Sequence, residues 1–114
     1  MKSQSILGVG ADIEDVFRFR KLPYPKNKSF YQKIFTKKEI AYCLEKSDPS
    51  ESFAARFAAK EAVIKALPKN FSNLKNIEVA MRGKKPQIKI KGFKVLVSLS
   101  HTKKNAIAFA ICYG

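Results

Sequence analysis

The segment Phe53-Ala-Ala-Arg-Phe-Ala-Ala-Lys-Glu-Ala-Val-Ile-Lys-Ala-Leu67 constrains this chain more than any other. At about 100° per residue, Ala54, Ala55, Ala58, Ala59, Ala62 and Ala66 line one broad face of small side chains. Such a face lets another backbone approach closely. Phe53, Phe57 and Ile64 form a second apolar ridge. The four charges do not share a side: Arg56 and Lys60 make one i,i+4 column, Glu61 and Lys65 another, and the Phe ridge runs between them. An ordinary surface helix separates charge from apolar residues. Here at least one charged column borders buried surface and needs partners or a ligand. The plainer reading makes Glu61 and Lys65 a helix-stabilising ion pair contributing roughly 0.2–0.5 kcal/mol, and the helix alone does not choose between the two.

Upstream, residues 5–13 are apolar, short and glycine-bearing, and read as a strand. Asp12 stands at its end, where it would cap a following helix with Glu14 and Asp15 in the first turn. A short basic helix through Arg18 and Arg20 then stops near Pro23, and residues 22–29 form a loop. Residues 29–46 predict two helical pieces, the second capped by Thr36, with Glu39 three residues later as a capping box. Residues 46–50 read as a turn, and the long helix, about 51–67, is ended by Pro68. After it the period changes. Residues 77–82, 87–91, 94–100 and 106–113 alternate or are β-branched, with turn residues between them. The spacing predicts one α+β domain over 1–114: an N-terminal strand and helices first, an antiparallel β-meander last.

Charge limits the partners. The chain's 114 residues carry 23 Lys+Arg against 9 Asp+Glu, a formal net charge of +14. That potential attracts polyanions without choosing among nucleic acid, anionic membrane, phosphorylated ligand or acidic protein. Tyr and Phe among lysines would suit a small basic RNA-binding protein. No RNA-binding signature accompanies them, and that reading leaves Asp12, Glu61 and His101 without a role. Cys43 and Cys112 lie far apart and form no metal or redox spacing, which suits a reduced, cytoplasmic setting. The first six residues hold no long apolar region, so no signal peptide is expected. No apolar run approaches the ~20 residues of a membrane-spanning helix. His101, the only histidine, follows the apolar run 95–100 at a strand end, where a reactive group is held yet open to a cleft.

Three segments together resemble the holo-acyl-carrier-protein synthase family, the AcpS-type phosphopantetheinyl transferases. They are Gly8-Val-Gly-Ala-Asp12-Ile-Glu-Asp15-Val-Phe-Arg18, Arg56-Phe-Ala-Ala-Lys60-Glu61-Ala-Val-Ile-Lys65-Ala, and Val97-Ser-Leu-Ser100-His101-Thr102. Phe35-Thr36-Lys-Lys-Glu39 is a weaker echo. The resemblance runs the whole chain, in the family's order. It implies the phosphopantetheinyl transferase-like fold and transfer of the phosphopantetheine arm of coenzyme A to a carrier-protein serine, with release of 3′,5′-ADP. It implies Mg²⁺ held by Asp12 and Glu61, with Lys65 on the phosphates and Glu61 as a candidate base. Arg56, Ser100, His101 and Thr102 would contact coenzyme A, and Arg18 would dock the carrier. Lys85 and Pro86 match the turn near the adenine, although Gly83-Lys-Lys-Pro86 is one residue longer than the family's Gly-basic-Pro. Pro68-Lys-Asn70 replaces a Gly-rich turn after the signature helix. These departures keep an inactive family member in view, while every metal and lysine position is retained. An acidic acyl carrier protein and a homotrimer are the implied partners, with no nucleic acid and no membrane insertion.

Overall fold

The computed structural model describes residues 4–114, so the first three positions of the segment read for a leader lie outside the described residues. Strand β1 (Ile6–Asp15) opens the chain, followed by helix α1 (Val16–Arg20), a 3-10 turn (Tyr24–Lys26), α2 (Lys28–Ile34), α3 (Lys37–Leu44) and the long α4 (Pro49–Ala66). A second 3-10 turn (Leu74–Asn76) leads to β2 (Glu78–Arg82), β3 (Lys85–Lys89), β4 (Lys94–His101) and β5 (Asn105–Tyr113). The fold is α+β, and every strand pairing is antiparallel. The strands after α4 divide into two ladders: β2 pairs with β3, while β5 lies between β1 and β4.

Glycine decides how β1 meets α4. The even residues of β1 face inward, and Gly8 and Gly10 lie directly on the helix backbone. A methyl built on Gly8 would overlap the Ala66 carbonyl oxygen, and one on Gly10 the Ala62 carbonyl oxygen. The alanine face of α4 therefore receives a strand that also lacks side chains at the contact. On the same side, Ala106, Ala108, Ala110 and Cys112 of β5 complete a tightly packed layer with no exposed surface. A second, aromatic cluster fills the other end of the helix, with Tyr31, Phe35 and Phe53 stacked or tilted at 4.5–6.0 Å between centroids.

Several boundaries differ from expectation: Lys85 and Pro86, expected in a turn, open β3, and the loop expected at 22–29 holds the first 3-10 turn and the start of α2. The β1–β5 ladder continues past Asp12↔Ala108 to Asp15↔Asn105, so Asp12 lies within the strand and caps nothing. Asp15 is the cap of α1, accepting a hydrogen bond from Phe17 N at 2.9 Å. Residues 46–50, expected as a turn, contain the start of α4: Asp48 accepts from Glu51 N, and Pro49 occupies the first helical position, where its missing N–H costs nothing. The Thr36–Glu39 capping box forms as expected, with Glu39 N donating to Thr36 Oγ1 at 3.2 Å and Thr36 N to Glu39 Oε1 at 2.8 Å.

The outer face of the three-stranded sheet is apolar and uncovered. Leu7, Val9 and Ile13 of β1, Ile107 and Phe109 of β5 and Leu96 of β4 are each at least 45% exposed.

Gly10→Ala is expected to lose about 3 kcal/mol or more in urea unfolding, because neither the helix carbonyl nor the paired strand can yield. Gly83, at φ +62 with open space around it, should lose only ~1–2 kcal/mol as alanine, the cost of a left-handed residue.

Candidate active site

Asp12 is carried toward α4 by the glycines that precede it. Gly8 lies at Ala66 and Gly10 at Ala62 and Lys65. Two further strand residues span about 6.6 Å and four helix residues about 6 Å, which takes Asp12 to the turn of α4 that ends in Glu61. Helical side chains lean toward the N-terminus, and Lys65 does so: its Nζ donates to Ala11 O at 3.0 Å and lies 3.5 Å from Asp12 Oδ1. Lys65 is thus paired across to β1. The other oxygen, Asp12 Oδ2, is buried without a hydrogen-bond partner. Glu61 is half-buried one turn before Lys65 in the same column.

Glu14 was not singled out from the sequence, because ending the strand at Asp12 hid it. In the longer β1 it is on Asp12's inward face, with its side chain mostly buried. Burial and the Asp12 carboxylate push the Glu14 pKa up to about 7, against the pull of Arg18. Arg18, on α1 as expected, is 3.3 Å from Glu14 Oε1, and its guanidinium covers the Phe57 ring at 5.0 Å. It remains about half exposed.

Arg56, Pro86 and His101 gather elsewhere, around a cavity of about 410 Å³ beside the N-terminal half of α4. The Arg56 guanidinium stacks over Tyr42 at 4.1 Å and donates to Ser52 Oγ at 3.0 Å, while its Nε is buried and unpartnered. Lys46 Nζ lies 4.3 Å from the centroid of the same ring. Burial would raise the Tyr42 pKa, but hydrogen bonds and charge from Lys46 and Arg56 outweigh it and the net shift is downward. His101 Nδ1 is 3.7 Å from Glu51 Oε2. The cavity carries Lys46, Arg56 and Lys84 against Asp48 and Glu51, with aromatic and apolar walls, and its excess of cations suits a phosphorylated nucleotide.

Of the remaining sequence candidates only Pro86 lines this cavity. Lys84 lines it, whereas Lys85 lines the adjoining groove between β3 and β4; Pro86 borders both. Ser100 is opposite Ile107 on the outer sheet face. Thr102 Oγ1 accepts from Lys104 N and Asn105 N and closes the β4–β5 turn. Tyr42 and Lys46 carried no local signal; only the fold brings them to Arg56. Within one chain the Asp12–Lys65 group and the Arg56–His101 cavity occupy different stretches of α4.

A carboxylate-and-lysine pair on a strand–helix seam and, further along α4, a nucleotide-sized cavity with a cationic excess fit a phosphate-handling transferase. The model of the 4′-phosphopantetheinyl transferase superfamily matches residues 8–112, and the chain belongs to that superfamily. A holo-acyl-carrier-protein synthase of Thermodesulfovibrio yellowstonii is 46% identical over 110 residues, covering 93% of this chain and 97% of the relative. Among solved structures, the Bacillus anthracis holo-acyl-carrier-protein synthase in complex with CoA (3′,5′-ADP) is similar at a TM-score of 0.83 and 30% identity, over 96% of this chain and 97% of that one. The Helicobacter pylori enzyme in complex with coenzyme A has a TM-score of 0.79 at 27% identity, over 91% and 98%.

Glu14 gives the site a pH signature. A carboxyl whose folded pKa is above its ordinary 4.5 binds its proton more tightly when folded, so this contribution favours the fold at low pH and is lost as pH rises through about 7. Without divalent ions, Glu14→Gln should flatten that decline between about pH 4.5 and 7, as read by thermal melts across the range.

Proposed function

We propose that this chain transfers the 4′-phosphopantetheine arm of coenzyme A to the serine hydroxyl of an apo acyl carrier protein, releasing 3′,5′-ADP. The observation that carries this reading is Asp12, held by a side-chain-free strand contact against the Glu61–Lys65 column with one buried oxygen unsatisfied. A buried carboxylate oxygen without a donor is costly, and a bound cation removes the cost. Among the described residues no three His, Cys, Asp or Glu side chains converge as a fully protein-ligated metal would need. Two carboxylates with water is the set that Mg²⁺ accepts, and Asp12 and Glu61 would hold it. Bound there, Mg²⁺ would neutralise the pyrophosphate and polarise its β-phosphorus.

The chain's own groups do the rest. Lys65, already beside Asp12, offsets charge on the leaving phosphate oxygen. Glu61 takes the proton of the attacking serine, directly or through water. Arg56, Pro86 and His101 at the cavity, with Lys85 in the adjoining groove and Ser100 and Thr102 at the end of β4, receive the phosphates and adenine of coenzyme A. Arg18, half exposed and braced by Glu14, docks an acidic carrier, and the excess of lysine steers its approach.

The active unit in this reading is a homotrimer of single-domain chains. Two observations support it: the uncovered apolar sheet face, on which six large apolar side chains from three adjacent strands stand exposed, and the separation of the Asp12 group from the cavity within one chain. A neighbouring copy would cover the first and bring its own half of the second alongside. A cytoplasmic setting suits the free, buried Cys43 and Cys112. Among the described residues no helix is long and apolar enough to cross a membrane.

Intact-mass spectrometry tests the reaction: apo carrier incubated with coenzyme A, Mg²⁺ and this protein should gain the arm's mass, and a chelator should stop it. Asp12→Ala and Glu61→Ala should each slow transfer by about 10²-fold or more while melting cooperatively. Turnover unchanged in both removes the metal assignment. Phe109→Glu, in the middle of the sheet face, should convert trimers to monomers in light scattering and abolish transfer.

A further inference from the structure

The reaction leaves the most deeply buried charges of the molecule unused. Lys60 and Glu39 have fully buried side chains and lie 2.8 Å apart, Nζ to Oε1. Each also binds backbone. Lys60 Nζ donates to Leu74 O at 2.9 Å and Ile77 O at 2.7 Å; Glu39 Oε2 accepts from Val79 N at 2.8 Å and its Oε1 from Thr36 N. Thr36 closes the circuit by donating its hydroxyl to Glu78 Oε2 at 2.8 Å. The junction thus ties α3 and α4 to the segment 74–79, the root of the β2–β3 hairpin.

That hairpin belongs to neither core cluster's main sheet and is not hydrogen-bonded to β4. Its far end supplies Met81, Lys84 and Pro86 to one wall of the cavity whose other wall is Ser52, Ala55 and Arg56 of α4. The hairpin's root is held there by the bonds of Lys60 and Glu39 together with the apolar packing of Ile77 and Val79. We infer that Lys60 and Glu39 are positioning residues for the nucleotide cavity, setting the hairpin wall at the distance at which it grips coenzyme A. The inference rests on the proposed function.

A buried pair kept only for stability is replaceable by uncharged groups of similar size at little loss. A pair that sets geometry is not, because the replacement leaves the carbonyls of Leu74 and Ile77 without their ammonium. The test is the double variant Lys60→Met/Glu39→Gln, which removes both charges together and keeps one acceptor at the helix cap. Its KM and equilibrium Kd for coenzyme A should rise about tenfold or more, since small misplacements of binding groups are magnified in affinity. Its kcat at saturating coenzyme A and its KM for the carrier should stay within about twofold, because Asp12, Glu61 and Lys65 are untouched. Amide exchange should quicken in 78–89 and not in β1 or β5. A folded double variant with wild-type coenzyme A affinity and unchanged exchange in the hairpin overturns the inference. If the double variant does not fold, Thr36→Val, which cuts only the link to Glu78 and one cap bond, decides in the same way: raised KM supports, unchanged KM refutes. Absence of coenzyme A binding or transfer by the wild-type protein would instead defeat the functional reading itself.

Discussion

The structure depends on one contact made of nothing but backbone and alanine. β1 can lie on α4 only because Gly8 and Gly10 present no side chain to the carbonyls of Ala66 and Ala62. Close-packed interiors do not absorb an extra methyl cheaply. The same closeness lets a lysine of ordinary length reach from the helix to a strand carboxylate. The approach of Lys65 to Asp12 is a consequence of that intimacy. Had the seam been built from Leu and Val, as most helix–sheet contacts are, the carboxylate would stand a layer further away.

α4 then serves three purposes with four charges. Arg56 goes to the cavity, where Tyr42 and Ser52 hold it. Lys60 goes to the interior, where burial lowers its pKa and Glu39 opposes the shift. Glu61 and Lys65 remain on the seam with β1. A helix with no consistent polar side is a poor surface helix and a good axle, because every flank has something different packed on it. Both core clusters share this one helix, so the cavity and the carboxylate group are referred to a common rigid body even though they do not touch.

Much of this was legible in the sequence. The interrupted alanine pattern announced a close backbone neighbour and at least one column of charge against buried surface, and the buried column proved to be Arg56 and Lys60. Thr36 and Glu39 announced their capping box through spacing alone. What failed was local in a different way. Asp12 looked like a helix cap because Glu14 and Asp15 follow it, and only pairing with β5, ninety-odd residues later, extends the strand and turns Glu14 inward. Glu39 also hid its larger role: a capping residue was visible, but nothing nearby showed that its second oxygen would take the amide of Val79. Tyr42, Lys46 and Lys84 meet Arg56 through tertiary structure, which no spacing rule reports. The exposed sheet face was equally silent, since alternating strands with apolar residues on both sides read the same whether the second side meets its own chain or another.

The division of the strands into two ladders has a consequence of its own. In a continuous sheet, a turn change that slips one strand's pairing by a residue turns that strand's side chains to the opposite face and disturbs its neighbours. Here the turn Gly83–Lys84 belongs to a ladder that ends with β3, and β4 begins its own register afresh against β5. Length variation in that turn is therefore quarantined. The hairpin wall of the cavity can drift in evolution while β1, the strand bearing Asp12, keeps its alignment.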